Sequence, residues 1–93
     1  MFITDILLTG ADNAQSGKEL ADRLGITIRD FTEKIAHERR CGHPICASQG
    51  ENKGYYLAAN REEMEQYCRS LERRETELRK TREACMAAAE KLR

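Results

Sequence analysis

The chain has 93 residues, which suffices for one small domain built around a single core. Its sixteen basic residues balance its sixteen acidic residues, so the formal charge of zero excludes a strong overall positive field of the kind that attracts nucleic acid. Neither part of the chain is basic by itself, since residues 1–60 carry seven Lys or Arg against eight Asp or Glu, and residues 61–93 carry nine against eight.

Nothing in the sequence indicates a membrane protein or a secreted one. No apolar run approaches the roughly 18 to 20 residues that span a bilayer, and the start "MFITDILLTG" has no basic segment ahead of its apolar patch. We therefore expect a cytoplasmic protein that does not bind membranes. Its four cysteines are expected to be reduced thiols rather than a disulfide framework: Cys41, Cys46, Cys68 and Cys85.

The first predicted element is a short amphipathic helix. Ile3, Ile6 and Leu7 have the i, i+3, i+4 spacing of one helical face, and Gly10 marks the end of the pattern. A polar loop, "ADNAQ", follows.

Two further helices are predicted close together in the stretch "SGKELADRLGITIRDFTEKIAHERRCG". Ser16 has the N-cap position of an S-x-x-E capping box, and Gly25 ends that helix because glycine readily takes the left-handed conformation. Thr27 caps the next helix only two residues later, and Gly42 ends it. The predicted buried faces consist of Leu20, Ala21 and Leu24 on the first helix and of Phe31 and Ile35 on the second.

A hairpin and a long helix complete the predicted elements. After Pro44, the strand-like runs "ICAS" and "YYLA" flank the glycine-bounded connector "QGENKG", which predicts a β-hairpin. Asn60 then caps a helix that meets no Gly or Pro through Arg93. A helix of roughly 30 residues is about 45 to 50 Å long, which exceeds the width of so small a domain.

The order of helix, tight turn, helix and hairpin resembles the winged helix-turn-helix proteins, including the biotin-repressor-like N-terminal domain and small phage and bacterial regulators. The likeness rests on "KELADRLGIT", "IRDFTEKIAHERRCG", "HPICAS" and "KGYYLA". It implies an α+β, mostly α fold: a winged helix-turn-helix domain of three helices and a hairpin wing over residues 1–59, followed by a C-terminal oligomerisation helix over residues 60–93. One departure is Glu38, at a position where such domains carry Leu. Either the helix is less buried there, or Glu38 has Arg or His partners.

The resemblance implies that the helix after Thr27 is a recognition helix that enters the major groove of DNA. The side chains expected to contact bases are Arg29, Asp30, Thr32, Glu33 and His37. Arg29, nearest the helix start, suits guanine O6 and N7 best. The residues expected to contact the DNA backbone are Lys18, Thr27, Lys34, Arg39 and Arg40. In the resembled families the wing also touches DNA, which adds Asn52 and Lys53.

The long helix carries a heptad pattern that predicts self-association. Apolar residues recur every seven positions at Met64, Leu71, Leu78, Cys85 and Leu92. The companion positions include Arg74 or Glu75 and Thr81 or Arg82, which disfavours a simple parallel zipper and leaves antiparallel pairing or a charge-matched bundle. The alternative is a solvated single helix supported by i, i+4 pairs such as Glu65–Arg69 and Glu75–Arg79.

We therefore expect sequence-specific binding of double-stranded DNA by a homo-oligomeric transcriptional regulator. Pairing through the tail multiplies the phosphate contacts of a neutral domain, which would bind weakly alone. The alternative is a protein-interaction adaptor with the same fold. A zinc site at His37, Cys41, His43 and Cys46 is disfavoured because its spacing matches no common zinc pattern, so neither metal nor cofactor is expected. No phosphate loop, nucleophile elbow or carboxylate pair predicts an enzyme.

Overall fold

The computed structural model describes residues 2–48 and 53–92. Over these ranges the chain forms three α-helices and one antiparallel hairpin in the order α1 (Gly17–Leu24), α2 (Ile28–Arg40), β1 (Ile45–Ser48), β2 (Gly54–Leu57) and α3 (Arg61–Glu90), with 3-10 turns at Ile3–Asp5 and Ala11–Asn13. The predicted α+β, mostly helical class is confirmed.

Local sequence signals set the starts of all three described α-helices. Each predicted N-cap side chain accepts a hydrogen bond from the backbone N–H three residues later: Ser16 from Glu19, Thr27 from Asp30 and Asn60 from Glu63. Gly25 follows α1 in the left-handed conformation, with φ of 68°. The helix boundaries therefore follow short-range chemistry that the sequence makes visible.

The helix predicted to run from Ile3 towards Gly10 is wrong beyond its first turn. Only Ile3–Asp5 is helical, as a 3-10 turn. The backbone after it is used by the hairpin: Leu57 N–H donates to the Leu8 carbonyl at 2.9 Å, and Gly10 N–H donates to the Leu57 carbonyl at 2.8 Å. Because these groups pair with β2, they are not available to continue a helix.

The second edge of β2 is also tied to the start of α1. Gln15 and Tyr55 exchange two backbone hydrogen bonds, of 3.0 and 2.8 Å, one residue before the Ser16 cap. Gly54 permits this approach, because a Cβ at that position would collide with the Gln15 backbone. The hairpin is thus fixed to α1 on one edge of β2 and to β1 on the other.

The main core lies between the helices and one face of the hairpin. Its buried members are Ile3, Leu7, Leu20, Ala21, Phe31, Ile35 and Ile45. Tyr55 and Leu57 pack against this cluster from β2. The alternation along both strands then directs Cys46 and Tyr56 to the opposite face.

The opposite face of the hairpin receives the first turns of α3. Tyr67 is buried there with Cys46 and Tyr56, and Met64 packs at the edge of this second cluster. The Arg39 guanidinium lies over the Tyr67 ring at 4.9 Å while its Nε donates to the Ile45 carbonyl at 3.0 Å. These contacts join α2, β1 and α3 at one point.

Beyond these turns α3 leaves the body. Every described residue from Leu71 to Leu92 is exposed except Thr76, which is half-buried. The predicted pairs Glu65–Arg69 and Glu75–Arg79 do not appear among the ion pairs of the described helix, where Glu65 instead pairs with Arg61 at 2.6 Å and Glu77 with Lys80 at 3.5 Å. None of the described helices is both long and apolar enough to cross a membrane.

Glu38 is the one charged residue in the described core, with 0% of its side chain exposed. Its carboxylate accepts hydrogen bonds from the backbone N–H groups of Ile3 at 2.7 Å and Thr4 at 3.1 Å, and Lys34 Nζ lies 3.9 Å from Oε2. Neither alternative expected from the sequence holds, since the position is buried and the partners are backbone groups and a lysine. A carboxylate here caps the first 3-10 turn, which a leucine cannot do.

Replacing Glu38 with Leu should destabilise the fold, because the Ile3 and Thr4 N–H groups lose their acceptor. We expect the free energy of unfolding to fall by about 2 to 4 kcal/mol. Chemical denaturation at an unchanged m-value measures this, with Glu33→Leu on the exposed face as the control that stays within about 0.5 kcal/mol of wild type. Equal stability of the Glu38 variant would show that packing alone holds the turn.

The Cys46 thiol should be the least reactive of the four. Burial raises the pKa of Cys46 above its ordinary value, and the hydrogen bond with Tyr56 offsets part of that rise. At neutral pH we expect alkylation of the exposed Cys41, Cys68 and Cys85, followed much later by Cys46. Mass spectrometry after timed labelling measures the order. Labelling in denaturant is the control, and rapid native labelling of Cys46 would contradict the packing of α3 on the hairpin.

Candidate nucleic-acid interface

The outer face of α2 is presented by a tight crossing with α1. Ala21 is buried at this crossing, and Ile26 N–H donates to its carbonyl at 3.0 Å across the Gly25 turn. Phe31 and Ile35 fix the inner side of α2 in the core. The opposite side chains therefore stand on a rigid helix whose position is set from beneath.

The residues predicted to contact bases all lie on the exposed surface of α2: Arg29, Asp30, Thr32, Glu33 and His37. The Arg29 side chain is 88% exposed, and its Nε lies 3.6 Å from a Glu33 carboxylate oxygen. Thr32 Oγ1 donates to the Ile28 carbonyl at 3.0 Å, and His37 Nε2 lies 3.7 Å from Cys41 Sγ. Arg29 is thus an accessible forked donor held by a weak surface ion pair.

A groove brings predicted residues from three elements together. It has a volume of about 380 Å³ and lies where the starts of α1 and α2 meet the hairpin. Lys18 from α1, Thr32 from α2 and Lys53 from the hairpin all line it. Two lysines therefore share one groove with the first turns of α2, where they can reach an anionic ligand that also touches that helix.

The remaining predicted backbone contacts fall into different environments. Thr27 uses its hydroxyl as the N-cap of α2, and Arg40 is exposed near the end of that helix. Lys34 and Arg39 make contacts within the chain instead: Lys34 Nζ lies 3.9 Å from Glu38, and Arg39 lies over Tyr67. Either would have to give up these contacts to reach a phosphate. Asn52 lies outside the described residues.

Ile28 is an exposed apolar residue at the interface that the sequence patterns did not single out. It is 52% exposed at the first position of α2 and lines the groove with Lys18 and Thr32. An apolar side chain directly after the Thr27 cap was the available signal, although its spacing of three residues from Phe31 is also that of a core position. It offers an apolar contact beside polar groups, as a thymine methyl or an apolar side chain of a partner requires.

The predicted association stripe on α3 divides into two parts. Met64 packs within its own chain, where its sulfur lies 3.8 Å from Cys46 Sγ. Leu71, Leu78 and Leu92 are 41%, 70% and 77% exposed, and Cys85 is exposed between them. The unpaired part of the stripe therefore begins at Leu71, one turn beyond the packed turns of α3.

The four residues considered as zinc ligands lie in separate environments. Cys46 is buried under α3, and the His43 ring contacts the Phe2 ring at 5.2 Å. His37 and Cys41 remain as an exposed pair one turn apart. Within residues 2–48 and 53–92, no three His, Cys, Asp or Glu side chains come together as a metal site.

The candidate interface thus combines an exposed arginine, two lysines of the adjoining groove and one apolar residue near the start of α2. Asp30 and Glu33 lie on the same helix, so the surface has mixed charge and favours oriented contacts over general attraction to anions. No protein-family model matches the chain, and no solved structure matches it.

Proposed function

We propose that this chain has a winged helix-turn-helix body that binds double-stranded DNA sequence-specifically, as a small phage or bacterial transcriptional regulator in homo-oligomeric form. The observation that carries the proposal is the exposure of Arg29 at the start of a helix fixed from below by Phe31 and Ile35. An α-helix fits the major groove, and its N-terminal side chains reach deepest into it. Arg29 then binds guanine, and Thr32 and His37 follow along the groove.

The lysines in the groove supply the sequence-independent contacts of this proposal. Lys18 and Lys53 line the groove beside the start of α2, where they can bind phosphates of the DNA backbone when that helix lies in the major groove. Two lysines neutralise few phosphates, and the surface also carries acidic residues. One body therefore binds weakly, and pairing of two copies through α3 raises the affinity and sets the spacing of half-sites.

A second candidate function is a protein-interaction adaptor with the same fold. It is favoured by the mixed charge of α2, where Glu33 already pairs with Arg29, and by the exposed Ile28. Such a surface resembles the rim and centre of a protein interface. The two functions differ in their dependence on salt and on nucleic-acid sequence.

Arg29→Ala should weaken binding to a duplex selected from a random pool by about tenfold or more, because a bidentate contact to guanine contributes roughly 1 to 3 kcal/mol. Discrimination at one base position should relax at the same time. Mobility shift against the selected duplex and its point variants measures both effects. Arg69→Ala, which removes the same charge from α3, is the matched control. An Arg29 variant with unchanged affinity, or no selective shift by the wild type, would favour the adaptor.

Lys18→Ala and Lys53→Ala should act differently from Arg29→Ala. Each should lower affinity for all duplexes to a similar extent and reduce the slope of log affinity against log salt by about 1. Titrations at several salt concentrations measure the slope. If either lysine changed sequence preference while leaving the slope intact, the assignment of these residues to phosphates would be wrong.

Removal of the tail should abolish self-association while the body stays folded. A chain ending at Ser70 keeps the Tyr67 contacts, so we expect it to sediment as a monomer while the full chain sediments as an oligomer. Leu78→Asp in the full chain should have the same effect, and Arg73→Ala on the same helix is the control. A monomeric full chain would contradict homo-oligomerisation through α3.

A further inference from the structure

The exposed part of α3 carries an ordered set of charges beside its leucines. Glu75 lies four residues after Leu71 and three residues before Leu78. Arg82 lies four residues after Leu78 and three residues before Cys85, so both charges adjoin the stripe. Glu72 and Arg79 flank them, and all four side chains are exposed. The charge at these four positions therefore changes from acidic to basic along the helix, while Arg74, three residues after Leu71, is a basic residue within the acidic half.

We propose that two copies of this chain pair through α3 in an antiparallel orientation, with Glu72 and Glu75 of one copy against Arg79 and Arg82 of the other. The occupant of the exposed leucine stripe is thus a second copy of the same helix. The proposal assigns an orientation to the oligomer proposed above, and only its consequence for DNA rests on the DNA-binding function.

The charges decide the orientation. Parallel pairing in register would place Glu75 against Glu75 and Arg82 against Arg82 at the seam, and like charges at a seam destabilise it. Reversal of one helix about a midpoint near residue 77 places each acidic pair beside a basic pair and keeps Leu71 and Leu78 in the seam. Antiparallel alignment also sets the helix dipoles in opposite directions.

Two cysteines, Cys68 and Cys85, lie on either side of the same midpoint and can be used to test the orientation. Cys68 and Cys85 are both exposed, lie on the stripe or its companion row, and stand at nearly equal distances from residue 77 on either side. Antiparallel pairing brings Cys68 of one copy opposite Cys85 of the other. Within one helix the two are seventeen residues apart, about 25 Å, beyond the reach of a short cross-linker.

Antiparallel pairing places the two bodies at opposite ends of a helical rod. The starts of the two α3 helices, at Arg61, are then about 48 Å apart. In the proposed DNA-binding function, this spacing implies half-sites whose centres are farther apart than one turn of B-DNA, about 34 Å.

Cross-linking of the full chain with a short bis-maleimide tests the orientation without DNA. All variants carry Cys41→Ser, and the reaction is stopped before the slowly reacting, buried Cys46 is labelled. We expect covalent dimers when Cys68 and Cys85 are both present. The yield of covalent dimer should be at least tenfold lower when either cysteine is changed to Ser. A mixture of the Cys68→Ser and Cys85→Ser proteins, after subunit exchange, should restore the dimer. Dimers formed by each single variant alone would show parallel pairing and overturn the proposal, as would absence of dimers in every sample.

Charge reversal gives an independent test by sedimentation. Glu72→Arg with Glu75→Arg should weaken dimerisation at least tenfold, because four like charges then meet at each end of the seam. Adding Arg79→Glu and Arg82→Glu to the same chain should restore it. Unchanged dimerisation of the two-residue variant would overturn the proposal. If the chain forms the expected cross-links but binds no DNA, the DNA-binding function is refuted and the antiparallel pairing still stands.

Discussion

The close crossing of α1 and α2 is the constraint on which the rest of the structure depends. Ala21 lets the two helices approach, and Gly25 reverses the chain within two residues at a φ of 68° that other residues rarely adopt. With the crossing set, Phe31 faces the core and Arg29 faces solvent. The same geometry thus determines both what is buried and what remains available to a partner.

A second set of contacts joins the other elements of the body to that crossing. The Glu38 carboxylate anchors the first turn of the chain to α2, and the Gln15–Tyr55 pairing anchors the hairpin to α1. Arg39 then connects α2 to the first turns of α3 through Tyr67. These contacts connect the first turn, the hairpin and α3 to the pair of helices that carries the proposed interface.

Elements set by neighbouring residues were predictable, and those set by distant partners were not. The caps at Ser16, Thr27 and Asn60 act within three residues, so the α-helices began where the sequence indicated. The first helix failed because residues near Leu8 bond to Leu57 across the chain. For the same reason Arg39 looked like a phosphate ligand, since the Tyr67 ring that it contacts is remote in sequence. Lys34 differs, because its partner Glu38 lies only four residues away on the same helix.

The central claim is that the outer face of α2 contacts DNA, and amide chemical shifts measured by NMR during titration with a selected duplex test it most directly. The account predicts the largest changes from Ile28 to His37, with smaller ones at Lys18 and Lys53. It also predicts small changes for Arg73 to Arg82 on α3. Changes confined to α3, or none at all at low salt, would contradict the account.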